Sequence, residues 1–508
     1  TLIVAPTALV QNWLKEMDLH FQPNSFGEIV IATGPGLKNL RTHVGRDTHS
    51  GKSHLNIDVL RRAGVILTTY ETLRDYHISF AKVPLGIVIF DEIQKLKNPE
   101  TQVTQAAKTV NAKFWIGLTG TPVENKLHDL WSLSDVLWPG LLGSAQDFNE
   151  NYSDANQKNL DALKNRLQPE TEGGTLPFLI RRMKRDRLQD LPEKNTNKVR
   201  TMMPSMQADV IRAIIQEAKR TGPSQASILA IIQRLRAASL HPIKPCDIGE
   251  YSHDEYVSQS ARLKATIQIL DYIAVKNEKA LIFLESLDLQ QWLAGYLKLR
   301  FKLAKRPMVI NGGVPGTSRQ DMLDKFQEAP DGFDVMILSP KAGGVGLTLT
   351  AANHVIHLSR WWNPAVEDQA TDRVYRIGQN KPVTVHIPIA LHPDPDLHEA
   401  SFDNKLDALL EKKRALSQNL LAPANPGEDS LSELFSEVTS FAKQAITPKN
   451  EPLRTLKAFA TPENDKKPDN DTTTHFDAIE EPLWRSDYSN VVDGGEDPSH
   501  ALKILEGK

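Results

Sequence analysis

Short apolar runs rich in Val, Ile and Leu punctuate the first part of the chain at Leu2 to Ala5, Ile29 to Ala32, Val65 to Thr68, Ile87 to Phe90 and Trp115 to Leu118. Runs of this kind predict strands buried inside a sheet. Helical stretches lie between several of them, and that alternation predicts a parallel, doubly wound sheet. The pattern returns after an amphipathic helix that starts near Ser260, with strands expected at Ala280 to Leu284, Met308 to Ile310, Val335 to Leu338, His354 to Leu358 and Val383 to Ile387. From Leu133 to about Glu255 the pattern is helical and irregular, and from Phe402 to Leu416 apolar residues recur at helical spacing. The expected fold is therefore α/β, with two parallel-sheet lobes. Lobe one is assigned residues 1–185, a helical protrusion or linker 186–255, lobe two 256–420 and an acidic tail 421–508, of which 447–475 read as disordered.

Composition narrows the class. The length of 508 residues suits about three domains, and 40% hydrophobic with 24% charged residues is a soluble, globular balance. No apolar run approaches the roughly 18 residues a membrane helix needs, and no signal peptide opens the chain, so no membrane partner is expected. A cytoplasmic location follows, nucleoid-associated if the protein is bacterial. The single cysteine, Cys246, has no partner for an internal disulfide and is expected to be a small buried apolar residue. The net charge of −3 is unevenly spread: residues 421–508 hold 17 acidic and 9 basic side chains, −8, which leaves +5 on residues 1–420. A mildly basic body suits a protein that holds phosphates in a groove.

Chemistry concentrates at the ends of the expected strands, where an open parallel sheet binds ligands. Asp91-Glu92-Ile93-Gln94 closes one apolar strand and sets two carboxylates at the crevice. In that position Asp91 suits magnesium and Glu92 suits the attacking water, although an acidic first helical turn would look the same. In the run Asp368 to Gln379, D-Q-A-T-D-R-V-Y-R-I-G-Q, Arg373 and Arg376 stand three apart. On a helix they would project from one face, with two planar forks aimed at one triphosphate. The run follows W-W-N-P at 361–364 and a glycine-dense loop, Ser339 to Thr348, whose backbone N–H groups can approach phosphates. Gly51-Lys52-Ser53 resembles the end of a phosphate-binding loop, but position 46 is Arg46 where that loop needs glycine, and residues 34–58 read as a surface loop.

Together these motifs resemble the Swi/Snf-type ATPases of helicase superfamily two, over roughly residues 1–420. The resemblance implies two RecA-like lobes sandwiching ATP and magnesium, with duplex DNA and a DNA-bound protein complex as partners. It implies catalytic roles for Asp91, Glu92, Gln94, Arg373 and Arg376, with Asp91 on the metal and Gly344 and Gly346 lining the nucleotide site. Thr119, Gly120, Thr121 and Gln369 would couple nucleotide state to lobe movement. Pro6, Thr7, Thr68, Thr69, Lys341, Thr348, Trp361, Trp362 and Asn363 would lie toward nucleic acid, and the basic run Arg181 to Arg187 would brace the lobes or touch DNA. The family's phosphate-binding loop lies upstream of the strand that opens this chain, so the chain reads as a fragment whose 508 residues alone are expected not to turn over ATP. A non-hydrolysing nucleic-acid clamp and an RNA-directed helicase are the rival readings.

Overall fold

The computed structural model describes residues 1–46, 52–120, 127–152, 157–168, 177–182, 191–221, 225–249, 251–340, 348–417, 434–436 and 438. The first lobe is built on strands β1 (Leu2–Ala5), β2 (Ile29–Ala32), β5 (Val65–Thr69), β6 (Leu85–Asp91) and β7 (Ala112–Leu118), in the order β2-β5-β1-β6-β7. All the pairings are parallel. β1 lies at the centre, with Leu2 opposite both Ile66 and Val88. Its residues are buried on both faces. Leu2 and Val4 join a core with Val30, Phe80 and Phe90, while Ile3 joins Val10, Met17 and Leu67 on the other face. An unbroken apolar run is what such a strand requires, since each residue it buries contributes about 1.5–3 kcal/mol. Helices α1 (Val10–His20), α2 (Tyr70–Asp75) and α3 (Leu127–Leu137) pack on this sheet.

The expected surface loop at 34–58 is instead ordered in its described part. A short helix, Gly34–Leu40, leads into an antiparallel pair, β3 (Arg41–Arg46) and β4 (Ser53–Leu55). Leu40 and Leu55 are buried in the lobe-one core, which turns a polar stretch into a docked hairpin.

The second sheet runs β10-β11-β9-β12-β13-β8, from β8 (Lys194–Met202), β9 (Lys279–Phe283), β10 (Met308–Ile310), β11 (Asp334–Leu338), β12 (His354–His357) and β13 (Val383–Leu391). Its first strand corrects the helical reading of 186–255. β8 pairs in parallel with the whole of β13, from Lys194 opposite Val383 to Met202 opposite Leu391. An edge strand has a neighbour on one side only, so the polar run K-N-T-N-K tolerates exposure there and carries no apolar signal. Helices α4 (Ser205–Thr221) and α5 (Gln225–Leu240) follow. They share a core with Phe402, Leu406 and Leu410.

Helices α6 (Ala261–Val275), α7 (Leu287–Arg300), α8 (Gly316–Glu328), α9 (Pro364–Thr371) and α10 (Phe402–Ser417) complete lobe two. Leu263 and Leu293 pack on one face of the sheet, and Phe326 and Ala370 on the other. Cys246 is exposed rather than buried. It lies in a single 3₁₀ turn, Pro245–Asp247, which has no buried residue. The expected disordered stretch 447–475 lies outside the described residues. Among the described residues no helix is long and apolar enough to cross a membrane.

Candidate active site between the two lobes

β6 ends at Asp91, and the chain then turns through Glu92 in the left-handed region, φ 54° and ψ 51°. A residue with a Cβ pays about 1–2 kcal/mol to stand there, and such strain persists where the surroundings dictate it. Here they do. The Tyr70 hydroxyl donates to the Asp91 carbonyl at 2.7 Å, and Trp13 Nε1 donates to Asp91 Oδ2 at 2.9 Å. Burial lifts the Asp91 carboxyl above the ordinary carboxylate range, opposed by the Trp13 bond, the Glu92 N–H and the Arg373 charge. Gln94 Nε2 donates to Glu92 Oε2 at 2.6 Å, and Thr119 Oγ1 donates to Gln94 Oε1 at 2.8 Å. The Gln94 amide thus uses both ends to tie the exit of β6 to the exit of β7.

Lobe two supplies the opposite charge. α9 begins under an Asn363 cap, whose side-chain oxygen accepts from the Ala365 N–H at 3.0 Å. It ends at Thr371, so Arg373 and Arg376 do not share a helix face as expected. Both lie in the turns beyond it. Two features draw the chain off the helical path. Val374 is wholly buried, and the buried Gln379 amide donates to Ala352 O at 2.8 Å, Thr350 O at 3.1 Å and Val374 O at 3.3 Å. Gly378 then takes φ 96°, a conformation glycine adopts without cost.

This turn aims the two arginines at different groups of lobe one. Arg373 is largely buried, which pulls its pKa below the usual guanidinium value, and the Glu92 carboxylate opposes that pull, with Asp91 adding to it. Arg376 reaches Glu16 of α1, Nη2 to Oε1 at 3.5 Å. Gln369, on α9, comes up against Gly120: a Cβ built there would stand 3.3 Å from Gln369 Nε2. The carboxylates of one lobe, the arginines of the other and two of the expected coupling residues therefore meet at one cleft.

The base of α9 is anchored by buried ions. Glu367 accepts from Arg360 Nε at 2.9 Å, from the Trp361 N–H at 2.8 Å and from Arg414 at 2.7 Å. Arg360 also donates to Asp407 at 2.8 Å, and Lys198 of β8 to the other Asp407 oxygen at 2.9 Å. Burial alone would raise Glu367, but Arg360, His357 and Arg414 outweigh it and hold it at about 2. Arg236 stands 5.6 and 5.8 Å from the Trp361 and Trp362 ring centres. Lys413 donates to the Trp362 carbonyl at 3.0 Å. Both tryptophans are partly buried in this assembly.

The remaining expected nucleic-acid residues divide. Thr7 is exposed just past β1, and Pro6 beside it is buried. Thr68 and Thr69 are buried, with hydroxyls used inside the lobe: Thr68 donates to Ala32 O at 3.0 Å, and Thr69 accepts from the Thr72 N–H at 3.2 Å to cap α2. Thr348 is exposed. Lys341, Gly344, Gly346 and Thr121 lie outside the described residues, as does most of the basic run, whose Arg181 and Arg182 are exposed.

The chain matches the SNF2-related domain over residues 1–244 and the helicase conserved C-terminal domain over residues 261–378. The chain belongs to the Swi/Snf-type family. Among curated relatives, it is 36% identical to the Zorya protein ZorD of Escherichia coli O139:H28, over 83% of this chain and 40% of that protein. It is 31% identical to the putative ATP-dependent helicase/translocase YwqA of Bacillus subtilis, over 86% of this chain and 45% of that one. The chain thus spans less than half the length of either relative. Among solved structures, the Sulfolobus solfataricus SWI2/SNF2 ATPase core in complex with dsDNA is 27% identical over 86% of both chains, with a TM-score of 0.39.

Sequence reasoning missed Trp13, Tyr70 and Glu16, which touch the site from α1 and α2. Trp13 and Glu16 stand one helical turn apart, a spacing that puts both on one face. That spacing was visible in N-W-L-K-E, but which strand end the face meets depends on the sheet order.

Proposed function

We propose that the protein hydrolyses ATP in the cleft between its lobes and uses the cycle to move along duplex DNA and displace proteins bound there. The observation that carries the reading is the convergence of Asp91 and Glu92, at one strand end, with Arg373 and Arg376 from the other lobe. Facing carboxylates and guanidiniums divide the work of phosphoryl transfer: the acids serve metal and water, and the arginines offset charge that grows on the transferring group. Glu92, tied to Gln94, orients the attacking water and accepts its proton. Asp91 is the carboxylate that would hold magnesium. It offers a hard oxygen donor, and magnesium carried by phosphate and water needs only one or two carboxylates. When bound, the ion neutralises phosphate charge.

Thr119, Gln94, Gly120 and Gln369 form the path by which nucleotide state reaches the second lobe. The relatives' names, an ATP-dependent helicase/translocase among them, support a motor, and the mildly basic body supports a polyanionic track. The test is Arg376→Ala in the full-length protein. DNA-stimulated turnover is expected to fall by roughly 10³-fold or more, with ATP binding retained. Near-normal turnover would remove the catalytic assignment. Translocation is checked separately: a triplex-forming strand should be displaced where a plain fork is not unwound, and stimulation by RNA in preference to duplex DNA would overturn the DNA reading.

A further inference from the structure

We propose that Glu16 is a positioning residue that docks Arg376, so that the guanidinium must leave one anion before it serves another. The inference rests on the ATPase reading and adds a control element to the same site. Its basis is the placement of α1. Trp13 and Glu16 share the face that looks into the cleft, because Trp13 Nε1 is bonded to the Asp91 carboxylate at 2.9 Å. Glu16 then reaches across to lobe two, 3.5 Å from Arg376 Nη2. Its neighbour Lys15 approaches Asp324 of α8 at 3.9 Å. One short helix therefore touches the acidic half of the site and, through two ion pairs, lobe two, one of them at Arg376.

The chemistry of exchange is direct. A carboxylate and a phosphate both accept from the fork of a guanidinium, so Glu16 and the phosphate of ATP compete for the same donors. The strength of the pair suits a reversible dock. Arg376 and Glu16 are 33% and 40% exposed, and ion pairs in such surroundings are weak and easily screened. Glu16 also has a second partner ready, since its other oxygen is 3.2 Å from His20 Nε2. Releasing the arginine does not strand the carboxylate. By contrast, the pair of Arg360 and Glu367 in lobe two is buried and locked into a network with Arg414 and Asp407, where breaking one link strands a buried charge.

A docked finger lowers the fraction of molecules competent for the chemical step. Glu16→Gln in the full-length protein should therefore raise kcat at saturating ATP and DNA by about two- to five-fold, the range a surface ion pair commands, and should not weaken ATP binding. Glu16→Asp should stay near the parent. Asp18→Asn, the same charge change on the exposed side of the same helix, should do nothing. A second readout needs no turnover. Spin labels on exposed Cys246 and on Trp138→Cys, 62% exposed in lobe one, should report a broader interlobe distance distribution in Glu16→Gln than in Asp18→Asn. If kcat falls or is unchanged and the distances do not respond, the dock is wrong. If the distances respond but the parent protein has no DNA-stimulated turnover, the dock stands and the ATPase reading fails.

Discussion

Asp91 and Glu92 accept hydrogen bonds from neutral partners within their own lobe, Trp13, Tyr70 and Gln94, whereas the segment bearing Arg373 and Arg376 grows from a base of interlocked buried ions. The difference is one of mechanical character. A hydrogen bond from a neutral donor to a carboxylate contributes about 1.5–3 kcal/mol net and can be exchanged. Breaking a buried charge pair from one side costs about 3–5 kcal/mol, because the partner charge is stranded. Lobe two therefore presents its arginines from a rigid platform. Lobe one keeps its acids in an adjustable, strained turn, as a site that must answer to nucleotide state would require.

The sharpest way to break the comparison is at the arginines themselves. Arg373 faces Glu92 and Arg376 faces Glu16, yet both are assigned to one transferring group. Arg373→Ala should cost turnover roughly as much as Arg376→Ala, about 10³-fold. The double variant should lose little more, since residues acting as a unit are not additive. Fully multiplicative losses in steady-state assays would mean two independent roles.

Next in size is the platform. Glu367→Gln removes the carboxylate on which Arg360 and Arg414 converge, and lobe two should lose about 3–5 kcal/mol in urea unfolding. Thr119→Ala, which removes a single hydroxyl bond to Gln94, should cost about 1 kcal/mol. Equal costs would erase the distinction between the lobes.

Acid should also separate them. Burial holds His241, His357 and His386 of lobe two at about 4, below the ordinary value of 6.5. Above pH 6.5 folded and unfolded forms are both neutral, so stability is flat. As pH falls from 6.5 to about 4, the unfolded chain gains protons the folded lobe refuses, and stability falls. Glu367, held at about 2, extends the loss below pH 4.5. Asp91 has the opposite sign: its raised pKa means that protonation relieves a folded-state penalty as pH drops. Lobe two should thus be the acid-sensitive half, checked by hydrogen exchange followed by mass spectrometry at pH 7 and pH 5.

Much of this arrangement was legible in the chain. The apolar runs located ten strands, most plainly β1 and β11, where nearly every residue is buried, and the motif residues fell at strand carboxyl ends. β8 was not legible, since an edge strand tolerates K-N-T-N-K. The helix expected through Arg376 failed because a buried Gln379 amide and a buried Val374 outweigh local propensity, and neither is visible as a pattern. Cys246 failed for a simpler reason: a lone cysteine reads as buried on average, and here the turn that bears it lies on the surface. The contacts of α1 with both halves of the site were hidden because they depend on sheet order.

The smallest effect expected is at one of the points where the lobes touch. A Cβ on Gly120 would meet Gln369 Nε2 at 3.3 Å, closer than an ordinary contact, but the atom it meets is the end of a flexible side chain. Gly120 does not have a positive φ of the kind that penalises alanine, so Gly120→Ala should leave stability unchanged or raise it by about 0.4–1 kcal/mol through the unfolded chain. Its cost should appear in coupling instead. DNA-stimulated turnover should fall modestly while ATP binding holds, since the methyl displaces Gln369 from the cleft. The decisive comparison is with Gln369→Ala. If the two side chains meet as the structure places them, adding Gly120→Ala to Gln369→Ala should cause no further loss, the sign of residues that share one interaction. Independent, multiplicative losses would show that Gly120 acts elsewhere, leaving the pairs Glu16–Arg376 and Lys15–Asp324 as the contacts between the adjustable lobe and the rigid one.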